Sequence, residues 1–175
     1  MQIRVATETD AARLAALAAL TFPLACPPDA PAEDVAAFIA QHLTAERFAE
    51  YVTDARRTVL VAEDADALAG YAMLVFGTPS DAEVAAQLSV RQAAELSKIY
   101  VAPEHHGTGA ARGLMAAALH DAVGRGAAGV WLGTNQQNVR AQRFYVKSGF
   151  ARVGTKRFRL GTRVEDDYIF EYVFS

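Results

Sequence analysis

The sequence predicts a single mixed α/β domain over residues 1–175, in which short strands alternate with amphipathic helices. The chain has the length of one domain, and its 52% hydrophobic and 21% charged residues suit a globular protein with a substantial core. The clearest local pattern runs from position 99 to position 123, where a β-rich run, a glycine turn and an amphipathic run follow one another. Together these observations favour a sheet flanked by helices.

Seven runs are predicted to be strands, because they are rich in β-branched and aromatic residues and end near Gly, Pro or Asp. In chain order they cover residues 2–6, 58–62, 68–76, 94–101, 129–134, 150–158 and 167–174. The second and third form a hairpin through a turn at 64–66, whereas a connection at 159–166 joins the last two. In the fourth run Leu96 and Ile99 are three residues apart, and a β-bulge would restore the alternation.

Six segments are predicted to be helices from their apolar spacing and their capping residues. They are a helix after a capping box at 7–10, residues 32–42, a short helix capped by Thr44, residues 82–87, a helix from the glycine turn to about 123, and residues 138–148. Prolines at 23, 27, 28 and 31 are expected to form a loop between the first two. Gly149 is expected to end the last helix in the left-handed conformation.

The glycine turn at 107–109 has the features of a phosphate-binding loop. Gly107 and Gly109 let the backbone approach a ligand, and the first turn of the following helix presents N–H groups without partners at the positive end of its dipole. Arg112 lies in that turn. An ordinary strand-to-helix turn remains the alternative. No Lys-Ser/Thr pair follows the glycines, and the next glycine is wrongly spaced for a dinucleotide fold, so neither of those phosphate sites is indicated.

Two motifs resemble the GNAT family of N-acetyltransferases. The first is Val101-x-Pro103 followed by His106-Gly107-Thr108-Gly109-Ala110-Ala111 and Leu114, which is similar to the family's acetyl-CoA loop, usually Arg/Gln-x-x-Gly-x-Gly/Ala. His106 stands where Arg or Gln is usual. The second motif, from Asn138 through Ala141, Phe144 and Tyr145 to Gly149-Phe150, is similar to the family's Asn-x-x-Ala-x-x-Phe-Tyr-x-x-x-Gly-Phe signature.

The resemblance implies the GNAT fold, a mostly antiparallel seven-stranded twisted sheet flanked by helices and splayed between strands 4 and 5. The pantetheine arm of acetyl-CoA would bond in that gap as an added strand does. The cofactor-binding residues implied are Ile99, Tyr100, Val101, His106, Gly107, Thr108, Gly109, Ala110, Ala111, Arg112, Asn138 and Tyr145.

The resemblance also implies two catalytic residues. Tyr145 matches the family's general acid, which protonates the leaving thiolate; a packed aromatic residue is the alternative. Glu95 matches a position where many relatives keep a general base, and a solvated carboxylate is the alternative. The implied activity is transfer of an acetyl group to a primary amine.

A looser resemblance to bacterial spermidine/spermine N-acetyltransferases spans nearly the whole chain. It rests on Ile3-Arg-x-Ala6, Thr21-Phe22, Trp131-Leu132-Gly133 and Asp167-Tyr168. Glu165 and Asp167 would then hold a polyamine ammonium, or they only solvate a turn. A protein or peptide N-acetyltransferase and a non-catalytic acyl-CoA sensor are the alternative functions.

Composition and charge limit the classes of partner that the sequence supports. The net charge of −3 gives no support to nucleic-acid binding, and Cys26 is the only cysteine. No run is long and apolar enough for a membrane span, and no leader pattern or metal-ligand spacing is present, so the sequence predicts a cytoplasmic enzyme without a metal. The two loop histidines are expected to be exposed to solvent. A homodimer involving the aromatic last strand is plausible.

Overall fold

The computed structural model describes all residues from 1 to 175 and contains seven strands and six α-helices. The strands are β1 Gln2–Val5, β2 Arg57–Asp64, β3 Ala67–Val75, β4 Ala93–Val101, β5 Gly129–Asn135, β6 Ala151–Leu160 and β7 Arg163–Val173. The helices are α1 Ala11–Ala25, α2 Ala32–His42, α3 Ala45–Thr53, α4 Ala82–Gln87, α5 Ala110–Gly124 and α6 Val139–Lys147. None of these helices is both long and apolar enough to cross a bilayer.

All seven strands form one sheet in the order β1-β2-β3-β4-β5-β7-β6. Every neighbouring pair is antiparallel except β4 and β5, which run parallel. The predicted mixed, mostly antiparallel seven-stranded sheet flanked by helices is therefore confirmed, and so is the β2–β3 hairpin.

The parallel pair separates early. Only Ala93, Ala94 and Glu95 of β4 pair with β5, although both strands continue beyond that point. On the other edge of β4 the register with β3 shifts, so that Ser97 is the extra residue between Leu96 and Lys98. This is the bulge that the spacing of Leu96 and Ile99 predicts. Because a bulge bends its strand, β4 turns away from β5 and a gap opens in the sheet.

Two apolar cores lie on opposite faces of the sheet. One face packs against α5 and α6 through a cluster that includes Leu114, Ala118 and Phe150. The other packs against α1, α2 and α3 through a cluster that includes Leu14 and Phe48. The gap between β4 and β5 therefore connects the two faces of the sheet, each of which is covered by its own set of helices.

The prediction that Pro23 belongs to a loop is wrong, because α1 continues to Ala25. A proline at this place removes only one helical hydrogen bond near the helix end. The flanking turn is held by packing, since Thr21 and Phe22 are buried and the Phe22 ring stacks on Phe38 with centroids 4.5 Å apart. Tertiary contact thus outweighs the local cost of the proline.

The predicted connection at 159–166 is also wrong. Strands β6 and β7 pair as far as Leu160 and Arg163, and only Gly161 and Thr162 form the turn. Alternating charged residues obscure the strand pattern here, as is common on an exposed edge strand such as β6. Glu165 is consequently part of β7, not of a solvated turn.

The N-terminal strand is joined to α1 by a network centred on Asp10. The carboxylate of Asp10, whose side chain is 3% exposed, accepts hydrogen bonds from Arg4 at 2.8 and 2.9 Å and from the Thr7 N–H at 2.8 Å. The last contact is the capping interaction predicted for residues 7–10. Arg4 and Arg13 also pair with Glu63 of β2, so the network fixes α1 against the sheet.

Replacing Asp10 with Asn is expected to lower the free energy of unfolding by about 1–2 kcal/mol at neutral pH, since the charge-assisted hydrogen bonds from Arg4 are lost. Hydrogen bonding from Arg4 lowers the pKa of Asp10 from 3.8 to about 2. The advantage of the wild type is therefore present above about pH 4 and is lost as the pH falls toward about 2. Urea unfolding at several pH values measures the difference in the free energy of unfolding between the wild type and Asp10→Asn. Asp66→Asn is the control, because Asp66 is exposed. If that difference in free energy stayed constant down to about pH 2, the stabilising role of ionised Asp10 would be contradicted.

Candidate active site

The gap between β4 and β5 opens into a cavity of about 800 Å³. Its walls come from both faces of the sheet. They include Ile99, Val101 and Ala111 near the glycine loop, Tyr145 of α6, and Phe22 of α1. The cavity therefore runs from the start of α5 through the sheet to the side covered by α1 and α2.

The glycine loop presents unpaired amides at one end of this cavity. Gly107 and Gly109 have φ values of +81° and +89°, a left-handed conformation that favours glycine. The first helical bond of α5 is donated by the Gly113 N–H to the Gly109 carbonyl. Within the protein, no acceptor takes the N–H groups of Gly107, Gly109, Ala110, Ala111 and Arg112, whereas Thr108 N–H donates to the His105 carbonyl at 3.3 Å.

These amides fit a diphosphate. They lie in and just before the first turn of a fifteen-residue helix, where the dipole favours negative charge. A Cβ added to Gly107 or Gly109 would meet nothing within 4 Å, so the space in front of the loop is open. The residues present therefore suit the phosphate end of coenzyme A, the group that the two motifs imply.

The two loop histidines have local partners. His106 is exposed, and its Nε2 lies 3.0 Å from the carbonyl oxygen of Val101. From the sequence His105 is expected to be exposed, but its side chain is only 18% accessible. Its Nδ1 lies 3.8 Å from Asp64 Oδ2. The ring of His106 is thus turned toward the end of β4.

The strand residues of the predicted cofactor site lie on the unpaired part of β4. Ile99 and Val101 share the face of the sheet that packs against α5, whereas Tyr100 points to the opposite face and toward Tyr71. Because β5 does not pair with this part of β4, the backbone edge of β4 faces the cavity. An extended ligand can bond to such an edge as an added strand does.

Helix α6 places the second motif beside the gap. Asn138 caps the helix by accepting a hydrogen bond from the Ala141 N–H at 3.1 Å. Tyr145 is 9% exposed and packs among Phe144, Phe150 and Phe170, with ring centroids about 6 Å apart. Its hydroxyl has no hydrogen-bond partner within the protein, and burial raises its pKa. The tyrosine therefore keeps its proton at neutral pH.

Glu95 lies where β4 and β5 part. It is partly buried, lines the cavity, and shares the α1–α3 face of the sheet with Lys98 and Tyr100. Burial raises the pKa of Glu95, and the charges of Lys156 and Lys98 partly oppose that shift. A carboxylate with a raised pKa is better matched to proton transfer near neutral pH.

Two further carboxylates lie across the cavity on β7. Glu165 and Asp167 are both buried. Arg163 lies 3.0 Å from Glu165, and Lys156 lies 3.8 Å from Asp167. Burial raises the pKa of Asp167 to about 6, and the neighbouring Glu165 adds to the rise.

Sequence reasoning missed several cavity residues, chiefly Lys98 and Tyr71. A signal for Lys98 was present, because a bulge between Leu96 and Ile99 places Lys98 on the same face as Glu95. Nothing local marks Tyr71, which reaches the cavity only because β3 pairs with β4.

The chain is similar to known acetyltransferases in sequence and in fold. The profile of the acetyltransferase (GNAT) family matches residues 23–150. An uncharacterized N-acetyltransferase of Mycobacterium tuberculosis (strain H37Rv) is 50% identical over 161 residues, which are 92% of this chain and 96% of that protein. A protein of Mycobacterium bovis matches equally well.

Solved structures share the fold. The PaiA N-acetyltransferase of Thermoplasma acidophilum, in complex with coenzyme A, superposes with a TM-score of 0.77 at 18% identity, covering 99% of this chain and all of that one. The ribosomal-protein-alanine N-acetyltransferase of Brucella melitensis gives a TM-score of 0.65 at 23% identity, covering 99% of this chain and 100% of that one. Since the family profile spans most of the chain and the mycobacterial relatives share half of the aligned residues, the chain belongs to the GNAT family of acetyltransferases and is an N-acetyltransferase with acetyl-CoA as its cofactor.

Proposed function

We propose that this enzyme transfers the acetyl group directly from acetyl-CoA to the primary amine of a small molecule. The observation that carries the proposal is the continuity of one cavity, which runs from Ala111 in the first turn of α5, whose N–H is free, to Tyr145 and Glu95. A donor site and an acceptor site on either side of one gap allow direct transfer.

In this proposal the amides of Gly107, Gly109, Ala110, Ala111 and Arg112 hold the diphosphate. The guanidinium of Arg112 is exposed beside them and adds positive charge. The unpaired edge of Ile99, Tyr100 and Val101 bonds to the pantetheine arm, with His106 and Asn138 lining the cavity beside it and Thr108 lying between the two loop glycines.

The chemistry divides between two residues. Acetyl-CoA supplies an activated thioester, and the neutral amine of the acceptor forms the new N–C bond while the C–S bond breaks. Tyr145 gives its hydroxyl proton to the departing thiolate, which suits a tyrosine that stays protonated. Glu95 takes the proton that the amine loses, directly or through a water.

The finer identity of the acceptor is the second part of the proposal. Glu165 and Asp167 form an acidic wall on the α1–α2 side of the cavity, and a carboxylate pair suits the ammonium groups of a polyamine such as spermidine. Lys156 and Arg163 already neutralise part of this wall, so a polyamine would have to compete with them.

Three wider predictions accompany the proposal. Residues 1–175 act as one domain, which is supported by a sheet whose strands come from both ends of the chain. A cytoplasmic location stays a prediction that rests on the single free cysteine, Cys26. The homodimer likewise stays a prediction.

Replacing Gly109 with Ala is expected to weaken coenzyme A binding about ten-fold. A non-glycine residue with φ near +89° costs about 1–2 kcal/mol, so the loop would leave the conformation that presents its amides. Calorimetric titration with coenzyme A measures the effect. Gly124→Ala is the matched control, because Gly124 has open space around it but no positive φ. Equal affinity in both variants would show that the left-handed turn is unnecessary for binding.

Replacing Tyr145 with Phe is expected to lower kcat about ten-fold or more while leaving coenzyme A affinity within about two-fold, since only the proton donor is lost. Thiol release from acetyl-CoA across a panel of amines, polyamines and peptides is the assay. Tyr172→Phe serves as control, because Tyr172 packs on Phe150 outside the cavity.

The same panel tests the whole function. Turnover of peptides alone would favour a peptide N-acetyltransferase. Coenzyme A binding without turnover of any amine would favour an acyl-CoA sensor and refute the transfer function. An unchanged kcat in Tyr145→Phe would remove the acid role.

The polyamine acceptor makes a separate pH prediction. Asp167 is an anion only above its pKa of about 6, so the KM for spermidine should rise as the pH falls from about 7.5 to about 5.5. Asp167→Asn should raise that KM about ten-fold at the higher pH and flatten this dependence. Asp166→Asn is the control, because Asp166 is the exposed neighbour. If Asp167→Asn left the KM for spermidine unchanged, the Glu165 and Asp167 pair would be excluded as the ammonium site.

A further inference from the structure

Three hydrogen-bond donors with weak partners or none lie together on the acceptor side of the cavity. They are the hydroxyl groups of Tyr71 and Tyr100 and the ammonium of Lys98, and all three side chains line the cavity. This donor cluster, Tyr71–Lys98–Tyr100, is distinct from the glycine loop, which lies on the other face of the sheet.

Sheet register brings the three side chains together. Tyr71 of β3 pairs with Tyr100 of β4, and Met73 pairs with Lys98, so the three residues project from the same face. The rings of Tyr71 and Tyr100 have centroids 5.7 Å apart. Diagonal neighbours on one face are roughly 7–8 Å apart, which a lysine side chain spans easily.

None of the three donors has a strong hydrogen-bond acceptor within the protein. Tyr71 is 0% exposed, and its hydroxyl makes no hydrogen bond. The hydroxyl of Tyr100 also has none, and Lys98 Nζ reaches only Ser97 Oγ, at 3.5 Å. Buried polar groups are normally paired, so the buried hydroxyl of Tyr71, beside two further donors that line the cavity, points to an acceptor supplied by a ligand.

The charges around the cluster favour an anion. No carboxylate lies within ion-pairing distance of Lys98, in contrast to Lys156, which pairs with Asp167. Burial lowers the pKa of Lys98 to about 8, the charge of Glu95 opposes that shift, and the guanidinium of Arg57 adds to it. Arg57 is itself ion-paired with Asp54 at 3.1 Å, whereas Lys98 has no paired carboxylate, and Glu95 is the carboxylate whose charge acts on Lys98.

We propose that the donor cluster binds a carboxylate of the acceptor, so that the preferred substrate is an amino acid rather than a plain amine. This inference rests on the proposed transfer function, and it replaces the polyamine with an amino acid as the preferred acceptor. A carboxylate accepts from two hydroxyls and an ammonium at once, which pairs every donor of the cluster. Because Glu95 and Lys98 share one face across the Ser97 bulge, the α-amine of the same molecule lies toward Glu95 when its carboxylate lies on Lys98.

The arrangement also accounts for the mixed charge of the acceptor side. A polyamine would use only Glu165 and Asp167, and it would leave the donors of the cluster unpaired and place positive charge beside Lys98. An amino acid with a cationic side chain would use both ends of the cavity.

The test compares each amino acid with the amine that lacks its carboxylate, namely L-lysine with cadaverine and L-phenylalanine with phenethylamine, by thiol release from acetyl-CoA. For at least one pair we expect kcat/KM to be ten-fold or more higher for the amino acid. Lys98→Met should cut that ratio at least ten-fold, mainly through the KM of the amino acid. The isosteric Tyr71→Phe should cut the same ratio about three-fold or more. Because this variant removes only a hydroxyl, it tests the site even if Lys98→Met folds poorly.

Lys147→Met is the matched control, because Lys147 is exposed on α6 and away from the cavity, and it should keep the ratio of the wild type. A wild-type enzyme that uses cadaverine as well as L-lysine and phenethylamine as well as L-phenylalanine would overturn the carboxylate site but leave amine acetylation standing. An amino-acid preference that survives in both Lys98→Met and Tyr71→Phe would also overturn it. Absence of thiol release from every compound would refute the transfer function and this inference together.

Discussion

Loss of hydrogen bonding between β4 and β5 after three residue pairs is the constraint on which the rest of the molecule depends. A continuous sheet would separate the two faces completely, and α5 and α1 would cover unrelated surfaces. The Ser97 bulge bends β4 away, so backbone groups on its edge lose their partners and become available to a ligand. The gap also lets residues from opposite faces, such as Tyr145 and Glu95, meet in one cavity.

Burial then gives the side chains around the gap their chemical character. It raises the pKa values of Tyr145, Glu95 and Asp167 and lowers that of Lys98. In each case the charged form loses hydration that the protein does not fully replace. The cavity therefore holds a phenol that stays protonated, a carboxylate shifted toward neutral pH and a lysine that releases its proton more readily, and the last two are suited to proton transfer near neutrality.

The walls of the cavity are held by elements remote from the reacting groups. The stacked rings of Phe22 and Phe38 join the end of α1 to α2, and Asp34 of α2 accepts a hydrogen bond from Thr162 Oγ1 in the β6–β7 turn. These contacts fix α1 and α2 over the face that carries the donor cluster and the acidic pair. The shape of the acceptor side is thus set by packing between segments far apart in the chain.

The sequence by itself determined the order of strands and helices, the bulge near Leu96, the cap at Asn138 and the glycine loop, because those features follow from local periodicity, capping and φ preference. It misplaced Pro23, which packing keeps helical, and the β6–β7 turn, where edge-strand charges conceal the pattern. Only the tertiary structure decided which polar residues share the acceptor side. Tyr71 has no local signature, and the environment of Tyr71, Lys98 and Glu165 arises from strand pairing between distant segments, which determines their burial and their partners.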